Sequence, residues 1–288
     1  MGALPRLGLG VSTEYGARRQ DGALDPAALR ARAPAYAGFL EVGVEVVKGL
    51  DADASAWAAA GWPTTYHFLD VNLDEPEDLE ESWSAEARAI AAALRPAWVC
   101  GDAGLWHFGA RDRGQMLLLP PVLVKASIGP MAAGIRALRA ALGLEVLPEN
   151  PPGSVFLGDM HLLEFFAALA ESADTGLLID CAHLAIYQRV MGFDPLTGFD
   201  SLPWERVVEL HVAGGSVLTH EGLAMVDDDH GTAVLPDTWV IVEAAIARAQ
   251  NLRAVVVECE RNPLEATLPI FAAVAERLPQ GWLAGAGE

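Results

Sequence analysis

The sequence is poor in cysteine and has no long apolar run. Its 288 residues include three cysteines, Cys100, Cys181 and Cys259, and no two of them are closely spaced. This pattern excludes a disulfide framework and a CxxC metal clip, and it favours a reducing, cytoplasmic location. No apolar run reaches the ~20 residues that a membrane-spanning helix needs. The opening MGALPRLGLG does not have the pattern of a secretion signal.

The sequence is also poor in positive charge. Its 19 basic residues face 39 acidic ones, which gives a formal net charge of -20. Such a charge repels phosphate backbones and anionic membranes, so neither nucleic acid nor a membrane is an expected partner. Acid runs such as DEPEDLEE are typical of a solvated surface, while other carboxylates are available to bind a cation.

The main structural signal is an alternation of short apolar runs with helix-like stretches. The apolar runs are RLGLGVS, GFLEVGVEVV, TTYHFLDV, AWVCGD, LEVLPEN, GLLIDC, VVELHVAG and AVVVEC. Helical patterns such as SAEARAIAAALR and MHLLEFFAALAES separate most of them. Eight such repeats predict an α/β fold, a single (β/α)8 TIM barrel spanning residues 1–288 as one domain. An open doubly wound sheet is disfavoured, because no GxGxxG follows the first strand.

Residues able to bind a metal stand at the ends of the predicted strands. A parallel barrel gathers the carboxyl ends of its strands at one mouth, so these side chains are expected to converge there. They are His67, Asp102, Glu149, Asp180, His211 and Glu258. Long loops after strands four and six (103–129 and 182–202) are the predicted specificity loops.

Further candidates come from local spacing. Asp180 and His183 form a D-x-x-H pattern, and one turn after a strand brings both to one cation. Asp228 and His230 are two apart, which in an extended chain directs both side chains to one side. The same alternation puts Glu258 and Glu260 on one face, and Glu41 and Glu45 on one face of the second strand. Carboxylate and imidazole ligands favour iron, manganese, zinc or magnesium.

The ordered motifs resemble those of the multinuclear non-haem iron-dependent oxidative enzymes (MNIO). The resemblance spans nearly the whole chain and rests on GLGV, FLEVGVE, YHFLDVNL, GDAGLW, LPPVL, PENPPG, LIDCAHL, ELHVAGG, DDDHG and VVVECE. It implies a barrel with two or three iron ions and dioxygen as co-substrate. It also implies an oxidoreductase that oxidises a residue, often cysteine, of a ribosomally made precursor peptide in natural-product biosynthesis. A separately encoded small protein commonly presents the peptide in this family.

Carried over residue by residue, the resemblance implies a ligand set with three members at the reacting centre. His67, Glu149 and His211 would be catalytic, and the metal ligands would be His67, Asp102, Glu149, Asp180, His183, His211, Asp228, His230 and Glu258, with Asn150 beside them. Two positions depart from the family pattern. Ala103 replaces a histidine of the family pattern. His107 either substitutes for that histidine or is a surface residue. His183 replaces an asparagine.

Three other functions fit parts of this pattern. Sugar isomerases and epimerases on xylose-isomerase-like barrels hold divalent metals with Glu, Asp and His, but need no oxygen. Apurinic endonucleases share these ligand types, but the negative charge argues against a DNA substrate. An accessory protein that stores metal or binds peptide would use the acids structurally.

Overall fold

The computed structural model describes residues 4–13, 19–108, 117–220 and 223–283. Eight parallel strands close into a barrel in the order β1-β10-β7-β6-β5-β4-β3-β2. The strands of the barrel are β1 (Gly8–Ser12), β2 (Phe39–Val44), β3 (Thr64–Phe68), β4 (Val99–Asp102), β5 (Val146–Glu149), β6 (Leu177–Asp180), β7 (Val207–Ala213) and β10 (Ala254–Glu258). An antiparallel hairpin pairs β8 (Ser216–His220) with β9 (Leu223–Asp227). The predicted TIM barrel and all eight predicted strands are confirmed.

Helices follow the barrel strands on the outside. They are α1 (Pro26–Arg32), α2 (Ala52–Ala59), α3 (Glu81–Leu94), α4 (Lys125–Leu142), α5 (Leu162–Ala173), α6 (Cys181–Met191), α7 (Pro236–Arg248) and α8 (Leu264–Arg277). Short 3₁₀ turns lie at Pro34–Tyr36, Pro76–Leu79, Phe199–Ser201 and Trp204–Arg206. In the described part of the chain, no helix has both the length and the apolarity to cross a bilayer.

The barrel interior changes from apolar to polar along its axis. Near the amino ends of the strands, the side chains of a small apolar cluster fill the interior, among them Phe39, Trp98, Leu147, Leu178 and Val256. A Cβ on Gly10 would come within 2.4 Å of the Phe39 ring, so only glycine leaves room for that ring. Two residues further along each strand, the alternation of the strand directs polar side chains inward. The core therefore closes one end, and the polar groups are collected at the other.

One predicted loop is wrong. Residues 182–202 do not form a long loop, because α6 begins at Cys181, directly after β6. The side chain of Asp180 caps this helix by accepting the N–H of His183 at 2.6 Å. The stretch from Cys181 to Gln188 is buried throughout, so it lacks the one-sided apolar pattern by which surface helices are recognised.

The other predicted loop is real but shorter. It ends where α4 begins at Lys125, and its residues 109–116 lie outside the described chain. Its described part is joined to the loop after β5, since the Leu123 N–H donates to the carbonyl of Leu157 at 2.7 Å. These two loops together border the barrel mouth.

Candidate metal centre

A cavity of about 340 Å³ opens at the carboxyl ends of the strands. Its polar wall consists of His67, Asp102, Glu149, His183, Asp228, His230, Glu258 and Arg261, and its apolar wall of Leu69, Trp106, Leu118 and Pro152. Most of these polar groups are buried, whereas Asp228 is partly accessible and Arg261 is exposed. Because the barrel gathers strand ends, residues far apart in sequence meet within one small volume.

Glu149 lies at the centre of the polar groups. Its Oε2 lies 2.8 Å from Nε2 of His67, and its Oε1 lies 3.2 Å from Nδ1 of His211. It belongs to one potential metal-binding group with His67 and Asp102 and to a second with Asp180 and His183. One carboxylate shared by two groups has the arrangement needed to bridge two ions.

Asn150 fixes the end of β5 against the end of β6. Its Oδ1 accepts the N–H of Asp180 at 2.9 Å, and its Nδ2 donates to the Asp180 carbonyl at 3.0 Å. Its own carbonyl lies 2.9 Å from Nδ1 of His183, so this nitrogen carries the proton. Nε2 of His183 is therefore the nitrogen available to a metal ion, and it lies 3.0 Å from Asp228 Oδ2.

His230 is oriented in a similar way after the hairpin. Its Nδ1 lies 2.8 Å from Oε1 of Glu260, while its Nε2 lies 3.3 Å from Oδ2 of Asp228. The sequence interpretation of an extended chain is wrong here, because His230 has φ of 51° in the left-handed region. The turn nevertheless brings the two side chains together, and Glu260 supports His230 from behind.

A deeper layer supports His211. Its Nε2 lies 3.0 Å from Oε1 of Glu41, whose other oxygen accepts the hydroxyl of Thr65 and the thiol of Cys100 at 3.1 Å each. Below it, Glu209 accepts the indole N–H of Trp98 at 2.6 Å. Burial raises the pKa of Glu209 well above its usual range, with the charge of Glu41 adding to the effect. Burial therefore favours the protonated form of Glu209.

The side chains at the mouth divide into groups that hold protons and groups that lose them. Burial, together with the charge of Glu149, raises the pKa of Asp102 to about 7. Burial acts to raise the pKa of Glu149 as well, but His211 and His67 outweigh it and lower that pKa. For His211, burial disfavours the charged form, yet Glu41 and Glu149 outweigh burial and raise its pKa well above the usual value. Without a cation, bound protons offset the negative charge of the carboxylates in this cluster.

The donor set fits a divalent metal ion. Buried oxygens of Asp102 (Oδ1), Asp180 (Oδ2) and Asp228 (Oδ1) have no hydrogen-bond donor among the described residues, which is costly for a carboxylate. Neither ring nitrogen of His211 makes an aligned hydrogen bond to a described residue, although carboxylate oxygens lie close to both. Each of these atoms would be satisfied by coordination.

The structure brings all nine predicted ligands to the mouth, but not every neighbour that the sequence suggested. Glu45 lies just beyond the end of β2 and pairs with Lys48 outside the mouth cavity. His107 neither replaces the missing histidine nor lies on the surface: it is buried and its Nε2 lies 2.7 Å from Oδ2 of Asp78. Ala103 is fully buried and adds no ligand.

Several residues around the site were not among the predicted site residues. They line the cavity and are Trp106, Leu118, Pro152 and Arg261. Trp106 and Pro152 lie within the motifs GDAGLW and PENPPG, which could have indicated them. Glu209 was also missed, although the alternation V-E-L-H puts it on the same strand face as His211 and could have indicated it.

Comparisons with known proteins place the chain in a family. The family model described as RiPP precursor modification enzyme MbnB/TglH/ChrH matches residues 23–275. The chain therefore belongs to this family of enzymes that modify ribosomally synthesised peptides, the MNIO family of the sequence resemblance.

Its relatives by sequence are UPF0276 proteins. One from Rhizorhabdus wittichii is 28% identical over 224 residues, covering 75% of this chain and 77% of the relative. One from Neisseria meningitidis is 30% identical over 155 residues, covering 52% of this chain and 54% of the relative.

By structure, the chain is similar to the IOLI protein solved with a bound zinc atom (TM-score 0.61, 12% identity, covering 95% of this chain and 99% of that protein). It is also similar to D-psicose 3-epimerase (TM-score 0.56, 13% identity, 94% and 99% covered). At these identities, the structural likeness shows the barrel fold alone.

Proposed function

We propose that this protein is an iron- and dioxygen-dependent oxidase that modifies a residue, often a cysteine, of a ribosomally synthesised peptide. One observation carries the proposal: in a member of the peptide-modifying family, buried carboxylate and imidazole groups surround the shared carboxylate Glu149. The two groups that share Glu149 contain no thiolate in the described part of the chain, and their nitrogen and oxygen donors suit ferrous iron.

The ligand geometry supports a centre of two or three ions. His67, Asp102 and Glu149 would hold one ion, and Glu149 with Asp180 and His183 a second. A third group, Glu41, His211 and Glu258, lies deeper in the barrel. Asp228 and His230 border the cavity beside His183 and are available to complete either coordination sphere. Bound iron would supply redox chemistry with dioxygen, which these side chains cannot perform alone.

The chain's own residues provide orientation, a dry wall and proton control. The Asn150 carbonyl and the Glu260 carboxylate each accept a hydrogen bond from Nδ1–H of a histidine, which keeps the opposite nitrogen available to a metal ion. Leu69, Trp106 and Leu118 line one side of the cavity and would exclude water from the reacting side chain of the peptide.

Anaerobic purification followed by iron analysis and Mössbauer spectroscopy tests the centre, and oxygen uptake with a precursor peptide tests the activity. Glu149→Gln should abolish peptide-dependent oxygen uptake and remove most of the iron. Glu164→Gln, an exposed carboxylate on α5, is the matched control and should retain both. Full activity of a preparation that contains only zinc or magnesium would overturn the proposal.

A sugar isomerase or epimerase is the second candidate, supported by the barrel fold that the chain shares with D-psicose 3-epimerase. Such an enzyme moves protons and needs a divalent metal but no oxygen. Conversion of a ketose under strict anaerobiosis, together with no oxygen uptake on any peptide, would favour this function over the oxidase.

The proposed substrate is a precursor peptide, and we also propose a small partner protein that presents it. The family supports the peptide, and the partner is the finer inference. Co-expression with a tagged precursor should recover a ternary complex. Full activity on the isolated peptide, with no protein co-purifying, would contradict the partner but leave the oxidase intact.

A further inference from the structure

A second, larger cavity of about 780 Å³ lies at the opposite end of the barrel. It opens where the strands begin: Leu7 precedes β1, Gly38 precedes β2, and Thr64 is the first residue of β3. The barrel's apolar plug, which includes Phe39 and Trp98, lies between it and the metal centre. The cavity is therefore separate from the site where the peptide would react.

Among the described residues, three arginines line this cavity and no acidic residue does. They are Arg6, Arg30 and Arg95. The chain has 39 acidic and 19 basic residues, so a cavity whose charged lining residues are all arginines is not expected from the composition. Other arginines of this protein follow the composition and pair with carboxylates: Arg19 with Asp53, Arg88 with Glu81, Arg139 with Glu145, Arg206 with Asp174, Arg248 with Asp200 and Arg277 with Glu243.

The cavity arginines have other partners instead. Arg30 donates from Nη1 to the Ala37 carbonyl, and its guanidinium lies over the rings of Trp57 and Trp62 at 5.4 and 4.8 Å. Arg95 donates from Nη2 to the Ala58 carbonyl at 3.2 Å. None of the three cavity arginines has a carboxylate within 4.0 Å among the described residues.

Arg6 is held by an aromatic ring and leaves a buried donor unused. Its guanidinium lies 4.7 Å from the centroid of the Trp282 ring. Its Nε is buried and has no hydrogen-bond partner in the described structure. A guanidinium has five N–H donors, so most donors of these three side chains make no hydrogen bond to the described residues. Burial lowers the pKa of Arg30, which is the direction expected for a guanidinium with no anion beside it.

We propose that this cavity is a binding site for a small organic oxyanion, a molecule with a phosphate or a carboxylate group. Planar guanidinium groups bind both groups through paired N–H donors, and the stacked tryptophan rings hold Arg6 and Arg30 in place before the ligand arrives. The volume is in the range of cavities that enclose whole metabolites. The proposal does not depend on the activity at the metal centre.

Calorimetric titration of the purified holoprotein with inorganic phosphate, pyrophosphate and citrate tests the site and separates phosphate from carboxylate. The double variant Arg6→Gln/Arg95→Gln should weaken binding by at least about tenfold, because each removes charge-assisted hydrogen bonds. Its matched control, Arg88→Gln/Arg248→Gln, removes the same charge from exposed pairs and should change binding less than twofold.

Two further measurements keep the result interpretable. Arg95→Lys preserves the charge and serves if the double variant does not fold; it should still weaken binding, because lysine lacks the planar fork. Glu149→Gln changes the metal centre and should leave anion binding unchanged. The proposal is overturned if none of the three anions binds saturably at millimolar concentration, or if binding follows Glu149 and not the cavity arginines.

Discussion

Nδ1 of His230 lies 2.8 Å from Oε1 of Glu260, on the side of the ring away from the other ligands. A carboxylate in this position accepts a hydrogen bond from Nδ1–H and leaves Nε2, the nitrogen that faces Asp228, as the one available to a metal ion. The hydroxyl of Ser12 donates to the other oxygen of Glu260 at 3.1 Å and fixes the carboxylate in turn. The chain thus orients this histidine before any ion binds.

The first prediction concerns this supporting carboxylate. Glu260→Gln keeps the size of the side chain but removes its charge, so His230 becomes a weaker donor. We expect iron affinity to fall about tenfold, as is typical when such a partner is lost. Anaerobic titration of Fe(II) against a competing chelator measures it. Glu265→Gln, an exposed residue at the start of α8, is the control, and equal affinities for both variants would contradict the assigned role.

The second prediction concerns the pH dependence of the metal-free protein. Asp102 has a pKa of about 7 in the folded protein, whereas an unfolded aspartate has one of about 4. Between these values the folded state binds more protons, so the free energy of unfolding falls as pH rises through this interval. From about pH 5 to 6, Asp102→Asn should reduce this slope by about 1.4 kcal/mol per pH unit, measured by urea unfolding.

The same proton opposes metal binding. Below about pH 7 an ion must displace the proton from Asp102. Up to that pH, the apparent affinity of the site that contains Asp102 should rise more steeply than that of Asp102→Asn, by about tenfold per pH unit. Asp194→Asn, at an exposed position, should leave both pH profiles unchanged. Profiles of Asp102→Asn that match the parent protein would contradict the raised pKa.

The strand ends could be predicted because two simple rules act together. Strand patterns located the eight strands, and barrel closure then required residues as distant as His67 and Glu258 to share one mouth. The ligand set follows from that geometry, and the structure brings it together. It remains a prediction that these residues bind iron.

Other features depend on contacts between distant segments that no local pattern encodes. His107 pairs with Asp78, 29 positions away, so its distance from Asp102 in sequence gave no guide to its role. Helix α6 was missed because burial on all sides removes the amphipathic signal. The arginine cavity combines the segments before β1, β2, β3 and β4, and no segment contributes more than one arginine to its lining.

The third prediction uses His183, which replaces a family asparagine. His183→Asn should leave α6 intact, because Asp180 caps the helix through the backbone N–H of residue 183. It removes the imidazole that faces Asp228. We therefore expect the protein either to bind one iron ion fewer or to bind that ion at least about tenfold more weakly. Mössbauer spectra and iron content measure this. His161→Asn, at the start of α5, is the control, and an unchanged spectrum of His183→Asn would show that His183 is not a ligand.

The fourth prediction concerns the two joined loops at the rim. The loop after β4 contributes Leu118 to the cavity wall and the loop after β5 contributes Pro152. The second loop also has two exposed apolar side chains, Val155 (65% exposed) and Leu157 (62% exposed). Exposed apolar groups beside a substrate cavity are typical of a binding surface, and a peptide that reaches the metal centre has to pass this rim.

We therefore expect Val155→Ser/Leu157→Ser to raise the KM for the precursor peptide about tenfold, since two apolar contacts contribute about 1 to 2 kcal/mol. The kcat and the iron content should stay unchanged, because neither side chain lines the metal cavity. Leu196→Ser/Val240→Ser is the matched control: both residues are exposed and apolar, one after α6 and the other on α7. If the control raises KM equally, the increase does not depend on the rim. If neither double variant raises KM, the peptide does not contact this rim.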